Sequence, residues 1–431
     1  MAAANEPDIR RLVGAAEQAR LAGRRDEALR ILSQAQSMAP DHPVVLNEAG
    51  LQKLHAGDPV AARALFERAV ERDGKSPTLW LNLASALRKL NLLEDELKAL
   101  ERVLALEPRH LLGLLQKGSL LEIKGQPKAA ATVFQNALLT IPRGTRLPEG
   151  LRPVIDHAFS AVRTNHAALD AFLVDRLREV RAQHAPNQER FDHCVEAFLG
   201  KRGIFHPEPT FLQFPKVPAM EFYRREDFPW LDEIEASSAE IRSEFERVFH
   251  EDAGRLEPYI AYPEGVPLDQ WADLNHSRRW SVYYLWRDGA RIDEHLARCP
   301  RTAELLSRAP MADVPGYCPT AFFSILDAKS HIPPHTGVTN TRLIVHLPLV
   351  IPPGCRFRVG STIRDWQVGQ AWVFDDTMQH EAWNDSDVPR AILIFDIWNH
   401  FMTPAEHDLV RTAVQGIRDF YRGELAITAS N

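Results

Sequence analysis

The feature that most constrains this chain is a periodicity. Between residues 9 and 144 the same residue classes return in register at steps of 34. The eighth position of each unit holds Ala16, Gly50, Ala84 or Gly118, and the twentieth holds Ala28, Ala62, Glu96 or Ala130. A larger apolar residue stands at the twenty-fourth (Leu32, Phe66, Leu100, Phe134), and a compact one at the twenty-seventh (Ala35, Ala69, Val103, Ala137). Each unit closes on Pro40, Gly74, Pro108 or Pro142, and Trp80 occupies the fourth position of the third unit. Small residues let two antiparallel helices approach closely, and the large one fills the gap between them. The Pro or Gly stops the second helix and turns the chain. An irregular bundle would not keep such a register.

The four in-phase units resemble the tetratricopeptide repeat, with Glu96 alone off the pattern. The resemblance implies an α-solenoid over 9–144 whose concave face holds a peptide or protein partner. Residues 145–205 read as a helical connector, because ALDAFLVDRLREVRAQHA has helical apolar spacing and no breaker. The stretch HPEPTFLQFPKVPAMEFYRREDFPW is too rich in proline for long regular elements, and a domain boundary is expected near 205. From about residue 280 the texture turns to short β-branched and aromatic runs: TAFFSILD, TRLIVHLPLVI, CRFRVG, QAWVFDD and RAILIFDIW. HTGVTN, IPPG, WQVGQ and WNDSDVP separate them as turn material. This predicts an antiparallel double sheet, a jelly-roll or cupin-like double-stranded β-helix, over 206–425. The expected fold class is therefore α+β multidomain. In TRLIVHL, Arg342, Ile344 and His346 should share one strand face, and Leu343, Val345 and Leu347 the other.

Length and composition agree with two or three domains. At 431 residues the chain exceeds one ordinary core, and 45% hydrophobic with 25% charged residues is globular. A net charge of -7 argues against a nucleic-acid partner, which needs a basic face. No apolar run reaches the roughly 18 residues of a membrane span. The start, MAAANEPDIRR, lacks the apolar core of a secretory signal. Cys194, Cys299, Cys318 and Cys355 lie far apart with no CxxC pair, so reduced thiols and a cytoplasmic protein are expected.

The chemistry concentrates in 324–398. His335 lies in HIPPHTGVTN, expected at the head of a strand, and His380 in FDDTMQHEAW, expected at the end of one. Imidazoles on neighbouring strands can hold one metal ion at about 2.1 Å each. Arg390 opens the following strand and can clamp a carboxylate. His331 and His335 are four apart, but Pro333 and Pro334 rule out a helix and hence an HExxH site. The usual facial triad places a carboxylate two residues after the first His, and here that residue is Gly337. Asp375 reads equally as a strand-end cap, and Tyr283, Tyr284 and Trp286 as core aromatics.

The runs PPHTGVTNTRLIVHLPLVIPPGC, FDDTMQHEAWNDS and RAILIFDIW resemble the aspartyl/asparaginyl β-hydroxylases, which carry HTG in place of HxD. The likeness extends back through NHSRRWSVYYLWRDG and covers most of 206–405. It implies an Fe(II)- and 2-oxoglutarate-dependent dioxygenase. His335 and His380 correspond to the metal ligands. Arg390 and Ser324 correspond to the residues that bind the distal carboxylate of 2-oxoglutarate, and His346 to the one near its C1 carboxylate. Asp376 corresponds to a catalytic-site acid that holds a metal-bound water, Arg342 to the receptor of a substrate carboxylate, and Trp280 to an aromatic beside the substrate. Ile344 stands where animal members carry a second arginine. The implied activity is hydroxylation of the β-carbon of Asp or Asn in a peptide or protein engaged by the repeats. The alternatives are hydroxylation of a lipid acyl chain or small molecule, and an inactive barrel in a repeat scaffold.

Overall fold

The computed structural model describes residues 6–142, 144–184 and 188–421. The first residues of the chain, Arg143 and 185–187 of the expected repeats and connector, and the expected domain end at 425 lie outside the described residues. Two compact units divide the chain, Met1–Val195 and Glu196–Asn431.

The first unit opens with α1 (Glu6–Leu21), α2 (Arg25–Met38), α3 (Pro43–His55), α4 (Pro59–Arg72), α5 (Pro77–Lys89), α6 (Leu93–Leu106), α7 (Leu111–Ile123) and α8 (Pro127–Leu138). They form four hairpins. Proline starts α3, α4, α5 and α8, where its missing N–H is not needed. The second helices stop shortly before Pro40, Gly74, Pro108 and Pro142. The described residues at the eighth, twentieth, twenty-fourth and twenty-seventh positions are buried. A size rule links two of them. Where the twenty-fourth residue is Phe, the eighth is Gly: a Cβ on Gly50 would lie 2.5 Å from the Phe66 ring, and one on Gly118 2.4 Å from the Phe134 ring. Where it is Leu (Leu32, Leu100), the eighth is Ala. Glu96, off the pattern, is buried because Arg88 Nε donates to its carboxylate at 2.6 and 2.7 Å. The long α9 (Arg152–Gln183) packs Ile155 and Ala158 into the core around Phe134 and so covers the end of the array. A short α10 (Glu189–Phe198) follows.

The second unit carries α11 (Leu231–Ala236), α12 (Ser238–Glu251), β1 (Glu257–Pro258), β2 (Trp280–Arg287), β3 (Ala290–Arg291), α13 (Asp293–Arg298) and α14 (Pro300–Arg308). Then come β4 (Ala321–Leu326), β5 (Ser330–His335), β6 (Arg342–Val350), β7 (Cys355–Val359), β8 (Thr362–Asp365), β9 (Trp372–Phe374), β10 (His380–Asn384), β11 (Arg390–Trp398) and α15 (Pro404–Phe420). A seven-stranded antiparallel sheet has the order β1-β2-β4-β11-β6-β9 with β3 on β2, and a four-stranded one the order β5-β10-β7-β8. From β4 onward the chain alternates between the two, apart from the β7–β8 hairpin inside the small sheet, and this is the winding of the expected double sheet. One face of the large sheet meets α11–α14 through Phe323, Val345 and Leu393 against Ile241, Phe245 and Leu306. Its other face meets the small sheet, with Ile344, Phe374 and Ile392 against Ile332, Phe357 and Ala382. The β6 alternation is as predicted: Leu343, Val345 and Leu347 enter the helix-side core, while Arg342, Ile344 and His346 face a cavity between the sheets.

Two strand placements differ from expectation. The strand near His335 ends there rather than beginning, and His380 opens its strand rather than closing one. The reason is that β5 is an edge strand whose pairing with β10 shifts register between Ile332 and His335, where Pro333 and Pro334 sit. Before His380 the chain turns instead, with Thr377 N–H and O–H donating to Asp375 Oδ1 at 2.9 and 2.6 Å. Asp375 is thus a strand-end cap. Cys299, Cys318 and Cys355 are buried free thiols, whereas Cys194 is exposed. No helix is long and apolar enough to cross a membrane among the described residues.

Candidate active site

The cavity between the sheets has a volume of about 410 Å³ and takes in all eight residues singled out from the sequence. The small sheet contributes His335 and His380, a directly opposed pair in the β5–β10 ladder. Their ring centroids are 4.0 Å apart. Each ring lies 2.8–3.0 Å through Nδ1 from a backbone carbonyl, His335 from Pro333 O and His380 from Met378 O. A carbonyl only accepts, so each Nδ1 carries the hydrogen and each Nε2 keeps its lone pair. Burial, helped by the neighbouring His380, holds His335 down to about 3, and burial holds His380 down to about 4. Both rings are therefore neutral at physiological pH, as metal ligands must be.

The Asp376 carboxylate lies against Gly337. A Cβ at Gly337 would lie 2.1 Å from Asp376 Oδ2, so the carboxylate fills the space a side chain at 337 would take. Asp376 Oδ1 is buried without a hydrogen-bond partner. Burial, against the opposing charge of Arg342, raises its pKa.

The large sheet contributes residues from several neighbouring strands. Ser324 on β4, His346 on β6 and Arg390 on β11 face the same cavity. Arg390 is only 1% exposed. Its guanidinium lies 4.8 Å over the Trp366 ring, and Nη1 approaches Ser324 Oγ at 3.4 Å. Among the described residues no carboxylate pairs with it, and its Nε has no partner. Burial lowers its pKa to about 10. His346 Nδ1 is likewise unpartnered, and burial followed by the Arg390 charge keeps the ring neutral. A buried cation beside unmatched donors and lone pairs is a site shaped for an anionic ligand.

Arg342 is engaged differently. Its Nη1 lies 3.2 Å from Asp396 Oδ2 and its Nη2 3.4 Å from Asp376 Oδ2. The carboxylate receptor expected at this position is thus flanked by two carboxylates of the chain itself. Trp280 is 5% exposed, and its Nε1–H donates to Ser324 Oγ at 3.1 Å. Asp396 and Trp366 are site residues that sequence reasoning missed. Asp396 shares the β11 face of Arg390, six residues on, so strand alternation could have found it. Trp366 lies between strands, where no periodicity points to it.

Residues 235–400 match the family model described as aspartyl/asparaginyl beta-hydroxylase. The second unit carries a domain of this family. Residues 53–118 match the tetratricopeptide repeat. The human aspartyl/asparaginyl beta-hydroxylase is 32% identical over 180 residues, which cover 41% of this chain and 24% of that protein. An ornithine lipid ester-linked acyl 2-hydroxylase of Rhizobium tropici is 32% identical over 197 residues, covering 45% of this chain and 66% of its own. The chain thus spans about a quarter of the human relative and two thirds of the bacterial one. Among solved structures, the MamA protein aligns with 42% of this chain and 97% of its own at 18% identity and a TM-score of 0.31. The aspartyl/asparaginyl β-hydroxylase domain thus holds, between its two sheets, a neutral histidine pair and a buried, unmatched arginine.

Proposed function

We propose that the second unit is an Fe(II)- and 2-oxoglutarate-dependent dioxygenase that hydroxylates the β-carbon of Asp or Asn in a peptide or protein. The observation that carries this is Arg390, a buried cation that no carboxylate among the described residues pairs with, in one cavity with two neutral imidazoles whose Nδ1–H groups are committed to backbone carbonyls. His335 and His380 would hold the metal. Arg390 and the Ser324 hydroxyl would receive the distal carboxylate of the keto acid, and His346 would lie near its other end. When bound, Fe(II) with 2-oxoglutarate and O2 supplies the oxidation that turns C–H into C–OH and releases succinate and CO2. The protein's own part is positional. Asp376 offers Oδ1 as acceptor to a water in the place of the missing third ligand. Trp271, Trp280 and Phe374 wall the cavity and exclude bulk water. The repeats would supply the groove that engages the substrate chain.

A second reading has its own support. The cavity wall is largely apolar, Ile344 replaces an arginine, and Arg342 is flanked by Asp376 and Asp396. Such a pocket also suits an acyl chain, the substrate in the name of the Rhizobium relative. The test offers the full chain, with Fe(II) and 2-oxoglutarate, a set of Asp- and Asn-containing peptides and an ornithine lipid. A one-oxygen mass gain in a peptide, lost in His335→Ala and strongly reduced in Arg390→Ala, supports the first reading. The same gain on the acyl chain selects the second. Full activity in Arg390→Ala would refute both.

A further inference from the structure

Trp280 is a cavity aromatic whose polar atom is spent inside the site. It is held flat by Tyr259, whose ring centroid lies 4.1 Å away at an interplanar angle of 32°, and by Trp271 at 6.1 Å. In that orientation its Nε1–H donates to Ser324 Oγ at 3.1 Å in a fully buried contact. Arg390 Nη1 is the second donor to the same oxygen, at 3.4 Å. A serine oxygen has two lone pairs and one hydrogen. With both lone pairs taken, the hydroxyl can serve only as a donor, and among the described residues no acceptor takes that hydrogen. Ser324 is 1% exposed and lines the cavity. A carboxylate, which accepts and cannot donate, is the partner this arrangement suits.

We propose that Trp280 is a positioning residue for the keto-acid end of the cavity. It acts through Ser324, fixing that hydroxyl as a donor to the ligand carboxylate that Arg390 binds. The inference rests on the 2-oxoglutarate reading of the site, and it gives Trp280 a role distinct from contact with the hydroxylated substrate. Without the indole N–H, the Ser324 hydroxyl can rotate and spend its hydrogen elsewhere, so that the ligand loses a preset donor. The expected loss is that of about one buried hydrogen bond, close to tenfold in affinity.

The test is calorimetric titration of 2-oxoglutarate into the anaerobic, Fe(II)-loaded full chain, with metal affinity measured separately on each protein. Trp280→Phe removes the N–H and keeps an aromatic ring. Placing 3-benzothienylalanine at position 280 keeps the whole bicycle and replaces N–H by sulfur, so a folding defect in Trp280→Phe does not decide the matter. Both changes should weaken 2-oxoglutarate binding about tenfold and leave metal affinity unaltered. In a Ser324→Ala background the same changes should add less than twofold. Unchanged 2-oxoglutarate affinity in the benzothienyl protein overturns the inference. So does a full tenfold loss in the Ser324→Ala background, which would mean that the ring acts by packing. A wild-type chain that takes up metal but no 2-oxoglutarate would instead overturn the keto-acid reading itself, and the inference with it.

Discussion

His335 and His380 each commit Nδ1–H to a backbone carbonyl two residues earlier, and this short reach fixes the tautomer before any ligand arrives. Their burial also has a stability consequence. Unfolded, the rings take up a proton near 6.5; folded, they resist it down to about 4 for His380 and about 3 for His335. A depressed folded pKa gives stability that is complete above 6.5 and is lost as pH falls through the folded values. Asp375 and Asp396 act in the opposite sense. Burial raises both from 3.8 to about 6, so their contribution is present below 3.8 and is lost as pH rises through 6. In the metal-free wild type the two sets offset each other. A metal-free His335→Asn/His380→Asn chain removes one set, and from pH 6.5 to 4 it should gain about 3 kcal/mol per ring relative to wild type. Denaturant unfolding at the two pH values measures this, and parallel pH profiles for the two proteins would refute it.

At the scale of elements, the repeat hairpins are matched by size. The Phe134 ring lies where a side chain at position 118 would be, so a methyl group there has no space. Gly118→Ala would add about 1 kcal/mol of helix propensity, but overpacking typically costs about 1–3 kcal/mol. A lower thermal midpoint is therefore expected. Phe134→Leu copies the Ala84/Leu100 and Ala16/Leu32 pairs already present in the chain. Combined with Gly118→Ala, it should cost less than the two single changes summed, with a coupling of about 1 kcal/mol or more. Strict additivity would mean that the ring and the glycine are not in register. In the second unit the element that matters most is β5. Its edge position tolerates the two prolines, and its pairing with β10 sets His335 opposite His380.

For the molecule as a whole, the two units have separate apolar cores, one built on Phe66, Leu100 and Phe134, the other on the sheet faces around Phe323 and Phe374. Separate cores predict separate unfolding transitions. Calorimetry of the full chain should resolve two, and a divalent metal that binds His335 and His380 should raise only the one belonging to 196–431. At a metal concentration a hundred times its dissociation constant, the stabilisation is about 2.7 kcal/mol. A single transition that moves as one with metal would show that the units unfold together. All the cavity residues come from the second unit.

Repeat register, helix pairing and the strand runs of β4, β6, β7, β9 and β11 were legible in the residues alone. Each depends on local periodicity, which a helix or strand expresses wherever it lies. Arg342, Ile344 and His346 could be assigned to one face for the same reason. The rest was decided between elements distant in sequence. Pro333 and Pro334 hid β5, because only its place at a sheet edge makes proline acceptable there. That Asp376 fills the notch beside Gly337 depends on the β9–β10 turn packing against the end of β5. The Trp366 ring under Arg390, the Asp396 carboxylate against Arg342 and the Trp280 indole on Ser324 are contacts across strands, set by sheet register and by burial. Period determined which faces look inward; only the closing of one sheet on the other decided which of those side chains meet.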